Sequence, residues 1–235
     1  MEQHRTAVVV DCLKIDKLSD SVYEMMYRLS TQERQEKANR YRKREDSERC
    51  LAAGMLLQAA LLDTQGVCKL PSVYGIHGKP QTEGAEGFHY NISHAGEWVV
   101  LAYSDKEVGV DVERIFMDEG RKKVAEFSFA EEEQNYIFES ENEQAERFSK
   151  VWTLKESYLK YLGTGMTKDM KSFVVNGGLS VLEAEGQKQE IMFNSMFLDR
   201  QHCLSICGEY QGIVVNITTL EELITQIAEA EERVG

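Results

Sequence analysis

GVDVERI, residues 109–115, is the stretch on which the reading of this sequence turns. Extended with Val108, it has a period of two: Val108, Val110 and Val112 share one face, and Gly109, Asp111 and Glu113 share the other. The valines predict a strand set into a core, and the opposite face carries two carboxylates. Residues i and i+2 of a strand lie roughly 6 to 7 Å apart, so both acids can turn their oxygens to one cation. An oxygen-only donor set beside open positions suits magnesium shared with a substrate's phosphates, and a solvated pair of acids is the plainer alternative. Gly109 is expected to leave space beside the acids.

Outward from this strand, FHYNI and WVVLAY read as two more strands, with turn-like SHAGE and SDKE at hairpin spacing between the three. TAVVVDCL at 6–13 reads as a strand. Val22, Met25, Met26 and Leu29 recur at helical spacing, and Ser30 with Glu33 forms a possible capping box for a second helix. A longer helix is expected over about 46–62, an irregular glycine-rich loop over 74–87, an acidic helical stretch over about 118–140, and a helix over about 146–162. SFVV, IMFNSMFL, HCLSIC and QGIVVNITT supply later strands before a closing amphipathic helix. Mixed helices and antiparallel strands without βαβ repetition indicate an α+β fold, and helices with short strands in both halves allow a pseudo-duplicated one.

The 235 residues, 42% hydrophobic and 29% charged with two prolines, describe one soluble globular body without a Pro-rich linker. No apolar run approaches the roughly 20 residues of a membrane span, and the first residues lack signal-peptide features, so a cytoplasmic protein is expected. Five cysteines, an odd number with apolar neighbours, fit reduced thiols. A net charge of −13 argues against nucleic acid as a partner. The charge is uneven: residues 34–49 carry seven basic and four acidic side chains, and residues 131–146 carry seven acidic and no basic ones. A local cationic site sits in an acidic protein.

Two further groups carry candidate chemistry. On the helix at 146–162, Glu156 and Lys160 are four apart and pair, with Lys155 beside them, and Glu156 is the third candidate metal ligand. Taken alone, this is also what a surface ion pair looks like. In NISHAGEW, Ser93 and His94 sit at a turn where they can donate to phosphate, and His94 can assist proton transfer; a His capping a hairpin is the simpler reading. Lys79, in HGKP, lies on a glycine-flanked loop suited to phosphate. No Walker loop or GxSxG elbow is present. Together the acids, the basic groups and the Ser-His pair suit binding of a pyrophosphate through a metal, and transfer by positioning and charge stabilisation.

With these residues in order, the sequence resembles the Sfp-type 4'-phosphopantetheinyl transferases. The matching segments are YRKREDSERCLAAGMLL, GKP, FHYNISHAGEWVV, GVDVERI and WTLKESYLKYLGTGM, spread over about residues 34–166. The resemblance implies a monomer of two similar α/β lobes related by a pseudo-twofold axis, divided as 1–105, with the coenzyme A contacts, and 106–235, with the metal-binding carboxylates. It implies transfer of the phosphopantetheine arm of coenzyme A to a serine hydroxyl of an acyl, peptidyl or aryl carrier protein, releasing adenosine 3',5'-bisphosphate, with carriers of secondary metabolite assembly lines the better fit. Asp111, Glu113 and Glu156 would hold magnesium, manganese being possible, and Glu156 would take the serine proton. Lys155 and Lys160 would lie near the phosphates; Ser93, His94 and Lys79 would bind coenzyme A phosphates; Arg34, Lys37 and Arg49 would lie near the 3'-phosphate. Ala95 replaces a frequent serine and Thr164 a frequent lysine, which touches the details of coenzyme A binding. A magnesium-dependent nucleotide pyrophosphate hydrolase and a noncatalytic coenzyme A or carrier-binding module are the alternatives.

Overall fold

The computed structural model describes residues 7–175, 183–184, 187–188 and 191–234. The chain runs β1 (Ala7–Lys14), α1 (Asp20–Leu29), α2 (Gln32–Asn39), α3 (Arg44–Gln65), β2 (Ser72–Tyr74), β3 (Pro80–Thr82), β4 (His89–Ala95), β5 (Trp98–Ser104) and β6 (Val108–Arg114). It continues through α4 (Glu119–Ser128), α5 (Glu131–Phe138), α6 (Gln144–Leu162), β7 (Glu183–Ala184), β8 (Gln187–Lys188), β9 (Met192–Asp199), β10 (His202–Gly208), β11 (Gly212–Thr218) and α7 (Leu220–Val234). This is a mixed α+β fold, as expected.

Two sheets pack face to face. The first has the order β11-β1-β5-β4 and the second β6-β10-β9. Alternation sets the seam between them: Val8, Val10, Val100 and Ala102 of the first meet Val110, Val112, Leu204 and Ile206 of the second. On the outer face of the first sheet lies α3, whose residues Cys50 to Leu61 are all buried because α1, α2 and α7 cover its other sides. On the outer face of the second lies α6, with Phe148, Val151, Leu154 and Tyr158 in a core shared with α4 and α5.

Several expectations change. The three central strands do not form consecutive hairpins: β4 pairs with β5, but β6 leaves that sheet and pairs with β10. The edge of β6 that faces β4 is bonded by side chains instead of backbone: the N–H of Val110 donates to Asn91 Oδ1 at 3.0 Å and that of Val112 to Ser93 Oγ at 3.3 Å. Asn91 and Ser93 are two apart on β4 and so share a face. β4 runs on through Ala95 and the turn follows it, with Gly96 at φ 56°, so Ser93 and His94 belong to the strand.

β11 pairs in parallel with β1, Val10 opposite Val215, and α7 packs on α3, so the last strand and helix lie with elements from the start of the chain. Thr31, not Ser30, caps α2 by accepting from the Arg34 N–H, while the Ser30 hydroxyl donates back to Met26. The acidic stretch breaks into α4 and α5 at a buried Phe129. SFVV is not a strand, because the Val175 N–H donates to Glu133 rather than to a ladder. The loop at 74–87 is flanked and partly ordered by the β2–β3 hairpin. No helix among the described residues is long and apolar enough to cross a membrane.

Candidate active site

The carboxylate face of β6 is turned to α6, and Gly109 permits the contact. A Cβ there would lie 2.0 Å from the Ser157 carbonyl oxygen and 2.4 Å from the Tyr161 nitrogen. The expected free space beside the acids is therefore filled by the backbone of α6. This close approach lays the next turns of the helix over Asp111 and Glu113 and brings Glu156 and Lys160 to them.

Asp111 is buried, at 5% exposure. Its Oδ1 accepts from Lys160 Nζ at 2.6 Å and from Ser93 Oγ at 2.9 Å, and Lys160 also donates to Ser93 at 3.0 Å. Its Oδ2 is buried with no partner. Glu113 Oε2 accepts from Arg121 Nη2 at 3.1 Å. Glu156 lies within electrostatic reach of all three: burial raises its pKa, Asp111 and Glu113 raise it further, and Lys160 opposes them. Burial likewise raises that of Glu113, followed by Asp111, with Arg121 opposing. Both glutamates are thus held nearer their neutral form than a free carboxylate, first by burial and then by the like charge of Asp111.

The donor set is all oxygen, and the orphaned Asp111 Oδ2 is an acceptor with capacity to spare, so the residues suit a hard divalent ion. Even so, no three acidic, His or Cys groups among the described residues already stand together as a metal cage. Asp111 Oδ1 and Glu113 Oε2 are engaged by Lys160 and Arg121 instead.

From His94 a cleft of about 250 Å³ runs between α2, α3 and the β2–β3 hairpin, with Arg34, Lys37, Tyr41 and Tyr74 in its walls. Arg34 lies across Gly54 of α3, where a Cβ would be 3.1 Å from its Cγ. The Tyr74 hydroxyl donates to Glu33, tying the hairpin to α2. His94 is open to the cleft, and its pKa is lowered by the surrounding protein first, then by Arg49 and Lys160. Arg49 lies close to this ring but outside the cleft walls, donating to the Gly96 carbonyl at 3.0 Å and to Asp46 at 2.5 Å. Lys79, on the loop of the β2–β3 hairpin, bonds Glu107 at 2.6 Å and the carbonyls of Val108 and Tyr161.

Lys155 is not at the site. Its side chain is fully buried beneath α6 in an ion pair with Glu133 at 2.9 Å, and it donates to the carbonyls of Met170 at 2.7 Å and Phe173 at 2.6 Å. With all three ammonium donors used, it has nothing to offer a phosphate. The helix explains the outcome: Glu156 and Lys160 are four apart and share a face, whereas Lys155, one residue before Glu156, is turned about 100° away.

Two residues of the network escaped sequence reading. Arg121 is capped into α4 by Asp118, and its Nη1 bonds the carbonyls of Arg114 and Phe116 and the Ser149 hydroxyl. The signal available was an Asp three residues before an Arg just after the carboxylate strand. Glu133 stands in a run of three glutamates, and only its i+4 spacing to the buried Ile137 singles it out.

Residues 17–106 match the N-terminal 4'-phosphopantetheinyl transferase family, and residues 107–215 match the 4'-phosphopantetheinyl transferase superfamily. A 4'-phosphopantetheinyl transferase of Bacillus subtilis is 27% identical over 216 residues, covering 88% of this chain and 95% of its own. The 4'-phosphopantetheinyl transferase gsp of Aneurinibacillus migulanus is 29% identical over 214 residues, 88% of each chain. A phosphopantetheinyl transferase of Thraustochytrium is 29% identical over 203 residues, covering 77% and 70%. Adjoining matches to two parts of one enzyme type, and likeness along most of the length of these relatives, agree with a carboxylate and lysine cluster at the end of a basic cleft: the chain belongs to the 4'-phosphopantetheinyl transferase superfamily.

Proposed function

We propose that the protein transfers the 4'-phosphopantetheine arm of coenzyme A to a serine hydroxyl of an apo-acyl, peptidyl or aryl carrier protein, releasing adenosine 3',5'-bisphosphate. The observation that carries this reading is the meeting of Asp111, Glu113, Glu156 and Lys160 near His94 at the end of a cleft walled by Arg34 and Lys37. Arg34 and Lys37 would hold the nucleotide's phosphates, with His94 nearer the diphosphate; Lys79 would reach a phosphate only by giving up one of its three bonds to Glu107, Val108 and Tyr161. Lys160 offsets charge developing on the leaving bisphosphate. Glu156, whose environment already favours proton uptake, accepts the proton of the attacking serine. A magnesium ion bound by Asp111, Glu113 and Glu156 would withdraw charge from the diphosphate oxygens. We place the protein in the cytoplasm as a monomer, in keeping with its five unpaired cysteines.

Incubation with coenzyme A, magnesium and a panel of apo-carriers, followed by intact-protein mass spectrometry, tests the reading. The expected result is a carrier mass gain of one phosphopantetheine arm, lost in Glu156→Gln. Release of the bisphosphate with no carrier modified would point to a hydrolase, and carrier association without any reaction to a binding module.

A further inference from the structure

We propose that Lys160 and Arg121 are resident counter-ions of the carboxylate cluster, so that a divalent cation binds well only together with the diphosphate of the substrate. The proposal rests on the functional reading above for the identity of that diphosphate. Its observation is separate: Asp111 and Glu113 are already neutralised inside the protein, by Lys160 at 2.6 Å and by Arg121 at 3.1 Å. Three carboxylates facing two cations leave one net negative charge, a weak attraction for a divalent ion that must shed water to enter.

The two counter-ions are held differently. Arg121 is fixed: besides Glu113 it bonds two carbonyls and the Ser149 hydroxyl, and its guanidinium lies 3.7 Å from the centre of the Phe116 ring. It stays with Glu113 through Oε2. Lys160 is on a flexible stem, 28% exposed, with one carboxylate and one hydroxyl as partners. An arriving diphosphate offers it a stronger anion, and its turning away frees Asp111 Oδ1 beside Oδ2, which is buried without any partner. One cation leaves the acids as another enters, so the buried site never carries the full repulsion of three bare carboxylates. By linkage, the metal tightens coenzyme A by the same factor as coenzyme A tightens the metal.

Isothermal titration of magnesium into the full chain, alone and with saturating coenzyme A, tests this without any turnover. The wild type should bind magnesium at least about tenfold more tightly with coenzyme A, and Arg121→Gln should tighten magnesium binding to the free protein by about tenfold, the effect of removing one nearby positive charge. Lys160→Met, at a more exposed position, should tighten it similarly and abolish the gain from coenzyme A; thermal melts check that both variants fold. Equal magnesium affinity in the wild type with and without coenzyme A overturns the proposal. So does weaker binding in both variants, which would make the two cations simple props for the acids. Should coenzyme A itself not bind, the functional reading fails, and the magnesium-only isotherms still decide: tightening in the variants supports the counter-ions, and unchanged or weaker binding overturns them.

Discussion

Two lysine–carboxylate pairs hang from α6, five residues apart, and they serve opposite ends. Lys155 and Glu133 are sealed in the C-terminal core. Lys155 has three acceptors, and Glu133 also takes the Val175 N–H at 2.7 Å and the Ala130 N–H at 2.9 Å, so every strong valence is met. Lys160 and Asp111 are where β4, β6 and α6 meet, and there Asp111 keeps an unpartnered oxygen and Lys160 reaches solvent. A satisfied buried network resists change, whereas an unsatisfied one invites a ligand. The same residue types therefore divide into architecture and chemistry by how completely their hydrogen-bonding capacity is used.

The comparison breaks most visibly through activity. Glu156→Gln is expected to lower carrier modification by about 10³-fold while leaving the melting temperature within a few degrees, read by mass spectrometry and calorimetry together. Next in size is a contrast of lysines. Lys155→Met strands Glu133 as a buried uncompensated charge and should cost about 3 to 5 kcal/mol in denaturant unfolding, with the activity of the folded fraction largely kept. Lys160→Met should lose about 10²-fold in rate and less stability than Lys155→Met, because the ammonium it removes is 28% exposed rather than sealed in the core. If both lysine variants lost stability alike, the division would collapse.

Gly109→Ala probes the contact between strand and helix that both pairs share. The added methyl must push α6 off β6, at a cost of about 1 to 3 kcal/mol or more, and the displaced Glu156 should cut activity along with it. The smallest effect is a control outside both pairs. At Asp199, burial is outweighed by donation from Trp98, the Gln201 N–H and His202, and the pKa falls from 3.8 to about 2. A carboxylate depressed in the folded state stabilises above its unfolded value and loses that contribution as pH falls through its folded one. The stability gap between wild type and Asp199→Asn should be full above pH 3.8 and close toward pH 2 in melts across that range.

Much of this was legible beforehand because it is periodic. Alternation in VGVDVE gave β6 its two faces, and i,i+4 spacing joined Glu156 to Lys160. What periodicity could not supply was pairing in space. The spacing of β5 and β6 suits a hairpin, yet β6 joins β10 because its valine face is needed at the seam between sheets. Lys155 and Lys160 look alike in sequence, and only the side of α6 each occupies separates them. Gly109 was read as making room, and it does, but the room belongs to a helix backbone. Arg121 depends on a loop conformation that no short pattern encodes.

The parallel pairing of β1 with β11 has a consequence for how the protein is made. Asp11 bonds Asn216 across 205 positions of sequence, so β1, emerging early, faces an empty edge until β11 is synthesised. At about 5 to 20 residues per second, that wait is on the order of 10 to 40 s. During it, a run of valines with free backbone donors and acceptors is a template for association with other chains. The sheet β11-β1-β5-β4, on which the cleft-forming helices rest, becomes whole only when β11 has left the ribosome.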